Sequence, residues 1–286
     1  MSTRLILVEG LPGSGKTTLA KEINQHLLKA GVPSTVHLEG ELSHPVDYDG
    51  VAYFTLGRFK ELMSNHLNNQ AVLEKITIPL KDAYMIPYKK ILHEGIIHFP
   101  EELLPDVVKN DVYELPLGRH MDLIQKKWEE FVKIQQNKDC VVILECVFIQ
   151  NPVTVTLVRD NAPHSLTKSY VQQLAEIIRP LEPLLIYLQA PDLKASFERI
   201  VQERPKNWYE GFEDYYTNRG FGLYKGLRGI DGVLEVLNER QKLELEIVDS
   251  LEMEKHLIEN SYDDKKIMSA ITPLLVNLLP PPTETR

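Results

Sequence analysis

Cysteine is scarce in this chain: of 286 residues, only Cys140 and Cys146 carry a thiol. Two cysteines in one apolar stretch lack the spacing of a zinc site and cannot build a disulfide framework. Both are expected to be small buried hydrophobes. Long hydrophobic runs are missing too. No stretch approaches the ~20 apolar residues of a membrane helix, and the run before Glu9 is too short for a secretory signal. Positive charge is in deficit, with 32 Lys and Arg against 41 Asp and Glu, for a net charge of −9. That removes the default expectation of a surface that binds a nucleic-acid backbone. His37, His93, His98 and His120 show no metal-ligand spacing. What is left is the ordinary composition of a globular protein, expected in the cytoplasm with neither a membrane nor a nucleic-acid partner.

Short, continuously apolar runs recur at residues 5–8, 34–38, 141–144, 184–188 and 245–248. Continuous apolarity suits strands covered on both faces, as in a parallel sheet. Helical periodicity is expected over 16–29, 123–136, 171–178, 193–203 and 231–242. The alternation predicts a three-layer α/β fold with a five-stranded parallel sheet. Residues 39–139 interrupt it without a convincing strand, and a segment of that length is rarely structureless. We therefore expect one domain over 1–279. It would carry a mainly helical insertion at about 46–137, between strands 2 and 3, and a glycine- and arginine-rich lid at about 199–230. Residues 280–286 are expected to be a disordered tail.

The strongest local signal is Gly10-Leu11-Pro12-Gly13-Ser14-Gly15-Lys16-Thr17, which matches G-x-x-x-x-G-K-[ST] without a gap. Glycines let backbone N–H groups close around phosphate oxygens. In this pattern Lys16 reaches the β- and γ-phosphates and the Thr17 hydroxyl coordinates magnesium, while Thr18 continues the helix whose positive end faces the anion. A strand before the loop and a helix after it supply the required context. The sequence therefore predicts binding of a nucleoside triphosphate, ATP by default, with Mg2+ through residues 11–18.

The stretch from Glu9 to Thr18 resembles the first motif of the P-loop kinases of nucleosides, nucleotides and other small molecules. It is nearest to the deoxynucleoside and thymidylate kinase branch. The resemblance implies a P-loop NTPase fold and an acid after the second strand to activate the acceptor. That acid is Glu39 or Glu41 here, Glu39 being nearer the strand. It also implies a magnesium-associated acid after the third strand, Glu145, and lid arginines after the fourth, Arg199 and Arg204, with Arg219 and Arg228 as further candidates. Glu39 would take the acceptor's proton, and the arginines would neutralise charge on the transferred group. The aromatics Tyr48, Tyr53, Phe54, Tyr84 and Tyr88 are either an acceptor pocket in the insertion or plain core. His44 either touches substrate or is a satisfied loop histidine. The expectation is phosphoryl transfer to a small-molecule acceptor that the sequence does not name. The alternative is a P-loop ATPase that acts as a conformational switch with a protein partner.

Overall fold

The computed structural model describes residues 3–190, 192–260 and 264–278. The expected tail at 280–286 lies outside the described residues. From the start, the chain forms β1 (Leu5–Gly10), α1 (Lys16–Lys29) and β2 (Ser34–His37). Then come β3 (Ala52–Thr55), α2 (Leu56–Asn65), α3 (Gln70–Ile76), β4 (Ile78–Pro79), β5 (Ala83–Ile86), α4 (Tyr88–Glu94), α5 (Leu104–Val108) and α6 (Leu117–Gln135). It continues through β6 (Val141–Glu145), α7 (Gln150–Val153), α8 (His164–Ile178), β7 (Leu184–Gln189), α9 (Leu193–Glu203), α10 (Lys206–Thr217), α11 (Gly220–Lys225), α12 (Gly229–Ser250), β8 (Glu254–Glu259) and α13 (Asp264–Ile271). Two compact units result, one of residues 1–39 and 128–286, the other of residues 40–127.

The first unit holds a five-stranded parallel sheet in the order β2-β6-β1-β7-β8. Its central strand, β1, is buried at every position. One side-chain set, including Ile6, Val8, Ile143 and Ile186, packs with Leu19, Ile23 and Leu27 of α1 and with Ile267 and Ile271 of α13. The opposite set, including Leu5, Leu7 and Tyr187, is equally buried, and the Tyr187 hydroxyl reaches Glu244 of α12. Both faces are covered, which is why the inner strands read as unbroken apolar runs.

The fifth strand is not the expected 245–248 but β8. Residues 245–248 end α12, whose buried Val236, Leu237, Arg240, Leu243, Glu244, Ile247 and Val248 recur at helical spacing. β8 is a sheet edge, largely exposed and rich in charge, so it carries no apolar run. The expected lid loop is likewise largely helical, formed by α10, α11 and the start of α12. Of the two cysteines, Cys146 is buried as expected, but Cys140 is only partly buried.

The second unit corrects the expected insertion in two ways. It spans 40–127 rather than about 46–137, and it contains a three-stranded antiparallel sheet, β3-β5-β4. Those strands are two to four residues long, too short for a visible period. The unit has its own core of Phe54, Phe59, Leu62, Leu73, Ile86 and Leu103. Phe54 and Tyr88 are buried, Tyr84 stacks on Phe59 at 4.1 Å, and the Tyr88 hydroxyl donates to Asp111. His44 is buried, and its Nδ1 accepts from the Val46 N–H.

Candidate functional site

β1 ends at Glu9 and Gly10, and the chain turns through Leu11–Gly15 into α1. A Cβ on Gly10 would sit 2.3 Å from the Leu188 carbonyl oxygen, so only glycine lets the loop leave the sheet here. Gly15 takes φ +90° at the start of α1, a left-handed conformation that other residues adopt only at a cost. No side chain caps α1, so its first N–H groups stay available to an anion. Lys16 is almost fully buried, and its ammonium donates to the Leu11 carbonyl at 2.8 Å. From just after β8, the Asn260 amide donates to the Ser14 carbonyl at 2.5 Å and braces the loop from the sheet edge.

The Thr17 hydroxyl donates to Glu145 Oε1 at 2.5 Å. Glu145 closes β6 and is 2% exposed. Its second oxygen accepts the Glu39 backbone N–H at 3.3 Å. The parallel pairing β2–β6–β1 brings three strand ends to one place, so residues 128 positions apart touch. Glu39, Glu145 and Cys146 form a compact cluster with ligand atoms within 4.8 Å of one another. Cys146 takes φ 69°, strained for a side-chain-bearing residue, and its N–H donates to the Val8 carbonyl. The hydroxyl of Thr17 and the carboxylate of Glu145 are hard oxygen donors of the kind Mg2+ accepts, so this corner fits that ion.

A cavity of about 590 Å³ opens over the loop, and every residue lining it belongs to the first unit. Lys16, Thr17, Glu39, Glu145, Arg199 and Arg204 all reach it. The two arginines meet there although five positions apart, because α9 stops at Glu203 and Arg204 takes an extended conformation. Arg199 also lines a neighbouring pocket of about 240 Å³ with Gly15, Thr18 and Asn260. Glu41, Arg219 and Arg228 are not among its lining residues. Arg219 lies over the Tyr215 ring, and Arg228 is tied to the Thr217 and Leu227 carbonyls.

Three features of the site were not anticipated. The first is Glu9, fully buried, whose carboxylate accepts the Phe148 and Gln150 N–H groups at 2.8 Å each. Burial pushes its carboxyl up to about 7, with the two backbone bonds pulling the other way. The second is a buried network behind the cavity. Arg240 donates to Glu244 at 2.6 Å, to the Tyr216 hydroxyl at 2.6 Å and to the Gln150 carbonyl at 3.0 Å. Burial works against the Arg240 charge, but Tyr216 and Glu244 more than offset it. The third is the α10 face of Trp208, Phe212 and Tyr216, with Phe212 stacked on Tyr216 at 4.1 Å. Its four-residue spacing was visible in the sequence. The contacts of Glu9 with Phe148 and Gln150, and of Arg240 with Gln150, were not, since they span 90 to 141 positions.

The strand order, the loop between β1 and α1 and the acid closing β6 together decide the fold. The chain has a P-loop kinase-like fold.

Residues 3–72 match the family model described as "Chromatin associated protein KTI12", a match confined to the first part of the chain. No curated protein matches. Among solved structures, the thymidylate kinase from Candida albicans aligns over 97% of this chain and 94% of its own, at 14% identity and a TM-score of 0.46. A likeness that distant carries no argument of its own; the strand order and the loop carry the fold. Among the described residues no helix is long and apolar enough to cross a membrane.

Proposed function

We propose that the chain is a magnesium-dependent phosphotransferase that moves the γ-phosphoryl group of ATP to a hydroxyl or phosphate on a small molecule. The observation that carries this is the meeting of Thr17, Glu145 and Glu39 at the mouth of the P-loop. A bare nucleotide-binding loop needs no second carboxylate there. A transferase needs one to receive a proton.

Residues 11–18 cradle the phosphates, and Lys16, released from the Leu11 carbonyl, reaches the β- and γ-phosphates. Thr17 and Glu145 would hold Mg2+, which would draw charge from the phosphate oxygens. Arg199 and Arg204 lie on the cavity wall to neutralise the transferred group. With a hydroxyl acceptor, the new O–Pγ bond forms as the bond from Pγ to the β-phosphate bridging oxygen breaks. The hydroxyl proton goes to Glu39, and ADP leaves.

The test is ATP turnover by the full chain with Mg2+ and a broad panel of nucleosides, nucleoside monophosphates, sugars and small alcohols. Acceptor-dependent ADP formation supports the reading; no transfer to any of them counts against it. The second reading is a nucleotide switch, and it draws on the match over residues 3–72 to a family described as chromatin associated. Acceptor-independent hydrolysis stimulated by a protein partner favours that reading instead.

A further inference from the structure

Glu39 lies two residues past the end of β2 and is exposed. Its backbone N–H is tied to Glu145, but an exposed glutamate side chain has several rotamers open to it, and ordering one costs entropy. A general base has to stand within hydrogen-bond reach of the proton it takes. A donor meets this carboxylate: Gln150 Nε2 gives a hydrogen bond to Glu39 Oε1 at 2.9 Å.

That donor is firmly held. Gln150 is 4% exposed. Its N–H donates to Glu9 at 2.8 Å, and its carbonyl accepts from Arg240 at 3.0 Å and from the Thr154 hydroxyl at 2.7 Å. Arg240 is fixed in turn by Glu244 and Tyr216. The far end of the amide carries a penalty, because among the described residues Gln150 Oε1 is buried with no hydrogen-bond partner. Turning the amide over gives no relief. An ionised carboxylate only accepts, so the oxygen would face another acceptor and the nitrogen would be left unpaired instead. An apolar side chain of similar length, such as methionine, would fill the space without this penalty. A local rule broken beside a reactive group is what function, rather than stability, maintains.

We propose that Gln150 is a positioning residue for the general base: its amide holds one oxygen of Glu39 so that the other is free to take the acceptor's proton. The inference rests on the phosphotransferase reading above. Gln150 acts through Glu39 and not on the acceptor, which separates its signature in kinetics from that of a binding residue. It also separates Gln150 from a purely structural one, since the fold does not need the amide.

The experiment compares the full unaltered chain with Gln150→Met, Glu39→Gln and the double variant. Each is assayed with Mg-ATP and the nucleoside, sugar or small alcohol that the unaltered chain phosphorylates fastest, and each is unfolded in urea. Gln150→Met is expected to lower kcat by about tenfold to a hundredfold, the scale of a misplaced reacting group. The KM values for acceptor and ATP stay as they are, and the urea midpoint is kept or raised. In the Glu39→Gln background the same change costs less than about twofold, because no base is left to position. Four results overturn the inference and leave the phosphotransferase reading intact: a Gln150→Met chain that loses stability, unchanged kcat, a raised acceptor KM at unchanged kcat, or equal losses with and without Glu39. Full turnover by Glu39→Gln removes the base and this inference with it. No transfer by the unaltered chain to any acceptor overturns the phosphotransferase reading as well.

Discussion

At the scale of single residues, the site is a set of charges each held by one or two named atoms. Lys16 is fixed by the Leu11 carbonyl, which keeps a buried ammonium satisfied until phosphate replaces that oxygen. Lys16→Ala should therefore lower kcat by about 10²–10³, the loss typical of removing one transition-state donor, with the fold unchanged by circular dichroism. Wild-type turnover in the variant would remove Lys16 from the site. Glu9 behaves differently. Burial raises its carboxyl from 4.5 to about 7, so the folded chain holds that proton more tightly than the unfolded chain does. The contribution is fully present below pH 4.5 and is lost as pH rises to about 7, an effect of roughly 3 kcal/mol. Glu9→Gln should abolish this slope: measured by urea unfolding between pH 4.5 and 8, the variant should gain stability on the wild type as pH rises. Parallel curves would contradict the assignment.

At the scale of elements, α12 matters most. It was expected to stop near residue 242, with a strand to follow. Instead it continues through Ser250 and carries Arg240 and Glu244 one turn apart, both buried. Arg240→Met leaves the Glu244 carboxylate buried without its cation, an expected cost of about 3–5 kcal/mol. The double variant Arg240→Met with Glu244→Leu removes both charges and should recover most of that loss. Purely additive losses in chemical denaturation would show that the two residues are not coupled. β8 has a different task. Its end places Asn260 against the Ser14 carbonyl, so Asn260→Ala should raise the KM for ATP by about tenfold, the worth of one buried hydrogen bond, with little change in kcat. An unchanged KM would make that contact incidental to nucleotide binding.

At the scale of the whole molecule, the chain is two compact units, and the loop with Lys16, Thr17, Glu145, Arg199 and Arg204 lies wholly in the first. A non-hydrolysable ATP analogue with Mg2+ at about 100 times its dissociation constant should stabilise that unit by about 2.7 kcal/mol. For roughly 200 residues this raises Tm on the order of 5–10 °C. The same analogue should give no shift with Lys16→Ala. A shift that survives the substitution would place the nucleotide elsewhere.

What the sequence determined by itself is whatever depends on neighbours in the chain. The loop from Gly10 to Thr17 was legible because phosphate binding imposes glycines, a lysine and a hydroxyl at fixed short spacing. β1, β6 and β7 were legible because burial on both faces leaves continuous apolar runs, and α9 because Asp192 caps it and Pro205 follows it. Tertiary structure alone decided the rest. An edge strand such as β8 buries too little to leave a pattern, so its place was taken by the apolar end of α12. The strands of the second unit are too short to show a period. Residues 145 and 17, 150 and 39, and 240 and 150 meet only because parallel strand ends converge at one edge of the sheet. Burial there tied Glu9, which the sequence showed only as the first residue of the loop motif, and Gln150, which it did not single out, to partners far along the chain.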